Sequence, residues 1–322
     1  MTETRRVQLV DAFTDEPMAG NPAGVVTDAT GLTDDQMGAI ANELGASETA
    51  FVRQSDAADR RLRYFSPERE VDLCGHATVA AMAALYDRAQ VTADSYTVET
   101  NVGVLDVEIE ADGTVWLTQS EPEIRPVDLD VGTVADALGL DRPALTEVGA
   151  DLPLSCASTG FPFLLVPVSY FEQLSAVDAD QEAIADLCES VGAEGLYAFT
   201  FDTLDRESTL HGRAFAPLAG IPEDPVTGTA SGAVCAYLRH HGAVDQPDPL
   251  VCEQGHFLDR PGRVLVRTGH PAETDADGDG ATDDDAGLDT DTTAPTVGGR
   301  AVTVLDGDLT IPEADDDDII EA

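Results

Sequence analysis

Leu73-Cys74-Gly75-His76-Ala77-Thr78 is a sharp turn that runs straight into an alanine-rich helix, and its reading decides the fold. The helix extends to about Arg88 and carries Val79, Met82, Ala83 and Leu85 as its apolar residues. A second turn, Glu223-Asp224-Pro225-Val226-Thr227-Gly228-Thr229, opens another alanine-rich helix with Val234, Tyr237 and Leu238. Outward from these turns the order of elements recurs. Before the first lie a strand at 7–13, a glycine-bearing turn at 20–24, a helix capped by Thr33 and ended by Gly45, and strands at 48–52 and 61–65. Before the second lie a strand at 163–168, a helix at 181–191 and strands at 196–201 and 211–216. Strands at 96–99 and 103–109 follow the first helix. Two halves with matching turn-to-helix elements point to a duplicated architecture.

The proline-bearing segment 121–130 reads as a linker, which divides the chain into 1–122 and 123–322. That division agrees with the length, since 322 residues is about two domains' worth. The stretch 273–291 is acidic, rich in glycine and threonine and poor in large apolar residues, so it reads as a solvated loop. Asp275, Asp277, Asp279 and Gly280 imitate the start of a calcium loop, but Ala286 stands where the closing glutamate belongs. Segments 302–305 and 309–311 read as a hairpin, followed by a polar tail at 315–318.

Sixty-two acidic residues face 17 basic ones, a formal charge of −45, and all 17 are arginine. Nucleic acid is excluded as a partner, because phosphate binding calls for a basic surface. The absence of lysine excludes Schiff-base chemistry and a Walker-type phosphate loop. Self-repulsion of this size is relieved by molar salt, so the composition suggests a salt-loving cytoplasm. The beginning of the chain lacks a signal-peptide core, and the longest strongly apolar stretch, 161–168, is broken by Pro162 and Pro167 and far too short to span a membrane. Five cysteines, odd in number and without metal-site spacing, fit reduced thiols and no metal.

Taken alone, each candidate site residue has a plain structural reading. His76 could cap or fill the core, Asp224 could serve the turn before Pro225, and Glu48 could be a solvated strand end. Gly75 and Gly228 could be tight turns, although two helix starts beside titratable residues offer amides and dipole ends where a carboxylate could dock.

Asp11-Ala12-Phe13 with Gly20-Asn21-Pro22-Ala23-Gly24, Ser47-Glu48-Thr49-Ala50-Phe51, Cys74-Gly75-His76-Ala77-Thr78, Glu223 to Gly228, and Glu253-Gln254-Gly255 with Arg260-Pro261-Gly262 together resemble the PhzF-like phenazine-biosynthesis isomerase family, in order and spacing over nearly the whole chain. The resemblance implies an α+β, diaminopimelate-epimerase-like fold of two pseudo-symmetric domains, each a curved sheet wrapped around a central helix, with the active site between them. It implies a homodimer without cofactor, acting on a small carboxylate-bearing molecule. By position it makes Glu48 the acid/base and His76 and Asp224 its assistants. Gly75 and Gly228 become amide donors and Asn21 a lining residue, while Thr229 stands where the family often has serine. The expected reaction is an isomerisation that moves a proton between carbons. Two alternatives are a racemase or epimerase using two thiols, with Cys74 as one and no cysteine in the second turn to match it, and a binding protein without catalysis.

Overall fold

A computed structural model describes residues 3–269 and 294–311. The acidic loop at 273–291, its calcium-loop imitation and the polar tail lie outside the described residues. The first half runs β1 (Glu3–Ala12), β2 (Asn21–Val26), α1 (Asp34–Leu44), β3 (Glu48–Arg53), β4 (Arg60–Phe65), β5 (Glu70–Val71), α2 (Gly75–Asp87), β6 (Ser95–Thr100), β7 (Gly103–Ile109) and β8 (Val115–Thr118). The second begins with β9 (Glu123–Pro126), α3 (Val131–Ala137), α4 (Pro143–Thr146), β10 (Ser155–Ser158), β11 (Pro162–Pro167), α5 (Phe171–Ser175), α6 (Gln181–Val191) and β12 (Gly195–Thr200). It continues with β13 (Leu210–Ala216), β14 (Ile221–Asp224), α7 (Gly228–His240), β15 (Leu250–Gln254), β16 (Gly262–Arg267), β17 (Thr296–Gly299) and β18 (Ala301–Ile311).

Strand pairing repeats between the halves. β1 to β8 pair antiparallel (β1–β2), parallel (β2–β3), antiparallel (β3–β4 and β4–β5), parallel (β4–β6) and antiparallel again (β6–β7 and β7–β8). β10 to β17 follow the same sequence pair for pair. The two series join where β17 pairs with β8, and β18 returns to lie along β1. The result is a mixed α/β fold in which one ladder of hydrogen bonds runs through both halves.

α2 packs against β1, β2, β3, β8 and β18, and every residue from Ala77 to Leu85 is buried. α7 packs against β10, β11, β16 and β17 and is buried from Ala230 to Leu238. A helix enclosed on all sides needs small side chains so that strands can approach, and this accounts for the alanines. The outer faces carry other helices. Along β3, Ala50 and Val52 join the core around α2, while Phe51 points to the opposite face and packs with Met37 and Ile40 of α1. β12 divides in the same way, with Tyr197 and Phe199 inward and Leu196 and Ala198 against the α6 layer. α1 has the expected cap, as Thr33 accepts from the Gln36 amide while the Gln36 side chain accepts from the Thr33 amide.

Two expectations are corrected. The linker at 121–130 contains β9, which pairs with β10. The expected C-terminal hairpin is one strand, β18, whose Asp306-Gly307-Asp308 resembles a turn in sequence. Gly307 instead lies opposite Val7, and Asp306 is held by Arg6 at 2.7 Å and Arg88 at 2.8 Å. Among the described residues no helix is long and apolar enough to cross a membrane.

Candidate active site

Glu48 begins β3, next to β2 in parallel register, and His76 sits in the first turn of α2. His76 Nε2 lies 3.4 Å from Glu48 Oε2 and 3.3 Å from Ser47 Oγ, while its Nδ1 lies 3.4 Å from Cys74 Sγ. Both the histidine and the glutamate are mostly buried, at 12% and 16% side-chain exposure. Thr78 anchors this turn by donating to the Cys74 carbonyl at 2.7 Å, which leaves the Tyr64 hydroxyl to donate to Thr78. Burial, and after it the Glu48 carboxylate, pushes the half-buried Cys74 thiol well up.

Asp224 ends β14 in the second half. Burial raises its carboxyl above the ordinary range, against the pull of His76 and of hydrogen bonds from Thr227 and Asn21, and the Glu48 charge adds to the rise. Asp224 thus lies within electrostatic reach of both first-half residues, and α2 and α7 touch. The first amides of a helix have no intrahelical partner, so two helix starts at Gly75 and Gly228 supply donors and positive dipole ends. Gly228 is closely packed, since a Cβ there would meet the Phe13 ring at 3.2 Å. The Thr229 carbonyl is held by the Thr159 hydroxyl at 3.1 Å.

Asn21 is only 1% exposed, and its amide donates to Asp224 Oδ1 and the Val226 carbonyl, both at 2.9 Å. It therefore fastens the second-half turn to β2. Sequence reasoning missed several other fasteners. The Gln254 side chain donates to the Asp224 carbonyl at 2.8 Å and to the Thr227 hydroxyl at 3.0 Å, and accepts from the Thr227 amide. The Thr227 hydroxyl donates to Asp224. Arg260 bridges Asp11, at 2.6 Å, and the Ala19 and Gly20 carbonyls. The signals for Gln254, Arg260 and Asp11 lie inside the segments that carry the family resemblance, whereas nothing around Thr159 distinguishes it.

The repeat also identifies which second-half residue matches Cys74. Cys74 is the N-cap of α2, and Thr227 is the N-cap of α7, so Thr227 rather than Asp224 occupies the place matching Cys74. A second thiol is absent from that place.

Gly255 holds Gln254 in position with φ of 87°, and a Cβ would lie 2.2 Å from the Arg260 carbonyl oxygen and 2.7 Å from that of Pro225. Gly255→Ala is expected to cost at least about 1–3 kcal/mol through backbone strain. Denaturant melts of the variant and the parent check this.

Beside Gln254, Glu253 forms a buried pair with His211, whose Nδ1 donates at 2.9 Å. Burial alone would raise this carboxyl, but His211, the Leu204 amide, Ser208 and the Asp205 amide together bring it down from 4.5 to about 2. The depressed value means that the pair stabilises the fold above pH 4.5 and that the contribution is lost as pH falls through about 2. Glu253→Gln should therefore cost about 3 kcal/mol at pH 7. The gap from the parent should narrow on acidification, as read from denaturant melts between neutral pH and pH 2.

Known proteins place the chain in a class. The family model for PhzC-PhzF, phenazine biosynthesis-like protein, matches residues 10–307. An uncharacterized isomerase, YfhB, of Bacillus subtilis is 40% identical over 261 residues, covering 80% of this chain and 88% of its own. The trans-2,3-dihydro-3-hydroxyanthranilate isomerase of Pseudomonas aeruginosa is 29% identical over 271 residues, covering 81% of this chain and 90% of its own. The crystal structure of the Bacillus anthracis phenazine biosynthesis protein of the PhzF family superposes with a TM-score of 0.83 at 33% identity, covering 96% of this chain and all of that one. The fold and the relatives define an isomerase. The chain belongs to the PhzC-PhzF phenazine biosynthesis-like family.

Proposed function

We propose that this isomerase moves a proton between two carbons of a small carboxylate-bearing substrate, with Glu48 as the proton carrier. The Glu48 carboxylate takes a proton from one carbon, the electron pair shifts through the adjoining double bond, and the resulting carboxylic acid returns a proton at another carbon. His76 orients the carboxyl, and Asp224 faces it from the second half. Amides at the Gly75 and Gly228 helix starts meet the substrate carboxylate and the charge that develops on it, and Thr229 adds a hydroxyl. Asn21 acts by positioning Asp224. No cofactor enters this scheme.

The observation that carries the reading is the convergence of Glu48, His76 at 3.4 Å, and Asp224 from the opposite half of the repeat. The repeated pairing order supports two pseudo-symmetric domains, each wrapped around its buried helix, that divide near residue 122 and bind substrate between them. The reading includes a homodimer in a salt-rich cytoplasm, resting on the family and on the charge of −45. The thiol alternative is disfavoured, because Thr227 stands opposite Cys74 in the repeat. Catalysis is tested by screening small carboxylates, trans-2,3-dihydro-3-hydroxyanthranilate first, for incorporation of solvent deuterium. A binding protein without catalysis would bind one of them and exchange none.

A further inference from the structure

The Glu48, Cys74 and His76 side chains present a carboxylate oxygen, a sulfur and a ring nitrogen all within 4.8 Å of one another. Among the described residues this is the one such group of three metal-ligating side chains, and the spacing of the cysteines along the chain gave no hint of it. We infer that the three side chains form a site for a borderline-soft divalent cation of the zinc type, and that its occupation silences the proton carrier.

The three donors lie close enough for a turn of the His76 ring to gather them around one cation. Zinc bonds of about 2.0–2.3 Å to oxygen, nitrogen and sulfur set neighbouring donors of a tetrahedron about 3.3–3.6 Å apart. Here His76 Nε2 lies 3.4 Å from Glu48 Oε2, while Cys74 Sγ lies 3.8 Å from Nε2 and 3.4 Å from Nδ1, so binding requires the imidazole to turn until one nitrogen faces both the oxygen and the sulfur. The donor set is one carboxylate, one imidazole and one thiolate, which suits zinc or cobalt and not the oxygen-seeking calcium or magnesium. Binding replaces the Cys74 S–H bond by a sulfur–metal bond and releases that proton to solvent. Two anionic ligands then balance the dication, and a water completes the tetrahedron. The acidic chain also concentrates cations around itself.

The second half has no equivalent site, because Thr227 and Thr229 occupy the places of Cys74 and His76. Occupation is thus expected at one cation per chain. The inhibitory consequence rests on the proton-carrier role of Glu48, whereas the binding itself does not.

The full chain is titrated with Co2+ alone, in a high-salt buffer without chelator. A thiolate-to-cobalt charge-transfer absorption saturating at one ion per chain is expected, displaced by Zn2+ and absent from a folded Cys74→Ser variant. His76→Ala and Glu48→Gln should each weaken cobalt binding by more than about tenfold. Exposed carboxylates can take up cobalt but cannot give a thiolate band. No thiolate band in the parent, or a band that survives in Cys74→Ser, would overturn the site. Where exchange activity is measurable, Zn2+ should abolish it and a chelator restore it. Full activity with the cation bound would overturn the silencing while leaving the spectrum to stand for the site.

Discussion

Transfer from molar to millimolar salt is expected to lower the melting temperature steeply and, at the lowest salt, to unfold the protein. Pairing every one of the 17 arginines with a carboxylate would still leave the net charge of −45. The arginines are largely committed already. Arg63 holds Glu70 and Asp34, Arg213 holds Glu223, Arg239 holds Asp248, and Arg260 holds Asp11. What remains is repulsion among surface carboxylates. It acts over a Debye length of about 3 Å at 1 M salt and about 30 Å at 0.01 M. Each kcal/mol of added repulsion lowers the melting temperature of a domain this size by about 2–4 °C. Circular dichroism melts from molar to 10 mM salt check the expectation. A melting temperature that stayed flat across the series would remove the salt-loving reading.

The parts of this structure that were legible in sequence have a periodic or terminal signature. α1 was readable because its cap, acidic first turn and terminal Gly45 all agree, and α6 falls at the expected 181–191. The central helices were legible for a different reason. α2 is buried on every side and shows no amphipathic stripe, so its alanine content and the turn before it carried the signal. Short strands such as β8, β10 and β17, of four residues each, were not readable. Their existence depends on a neighbour supplied by a distant part of the chain. β18 differs from the expected hairpin because Asp306-Gly307-Asp308 has turn composition, whereas pairing with β1, about three hundred residues away in the chain, holds it extended and Arg6 and Arg88 neutralise Asp306.

The site divides in the same way. Gly75 and Gly228 are visible as helix starts, and His76 and Asp224 beside them follow. Glu48 has no local signature at all. Its position becomes meaningful only through β2–β3 pairing and the placement of α2, which bring it to His76 across 28 residues of chain. Before the fold was in view, family resemblance was the one route to it. Gln254 is still less visible, because its partners Asp224 and Thr227 are reached across β13, β15 and the turn between Asp224 and Gly228. Cys74 suggested a thiol mechanism from sequence. In the structure it neighbours His76, and burial pushes its thiol up.

Glu48→Gln keeps the size and much of the hydrogen bonding of the native side chain but cannot carry a proton between carbons, whereas Cys74→Ser leaves the glutamate in place. The most direct test is therefore one mass-spectrometric measurement. It follows solvent deuterium entering a carboxylate substrate in heavy water, catalysed by the parent, Glu48→Gln and Cys74→Ser at equal concentration and saturating substrate. The account predicts incorporation by the parent, substantial incorporation by the serine variant, and a loss of at least about 10²–10⁴-fold in the glutamine variant. Incorporation that persists in Glu48→Gln and disappears in Cys74→Ser would contradict the account and assign the proton to the thiol.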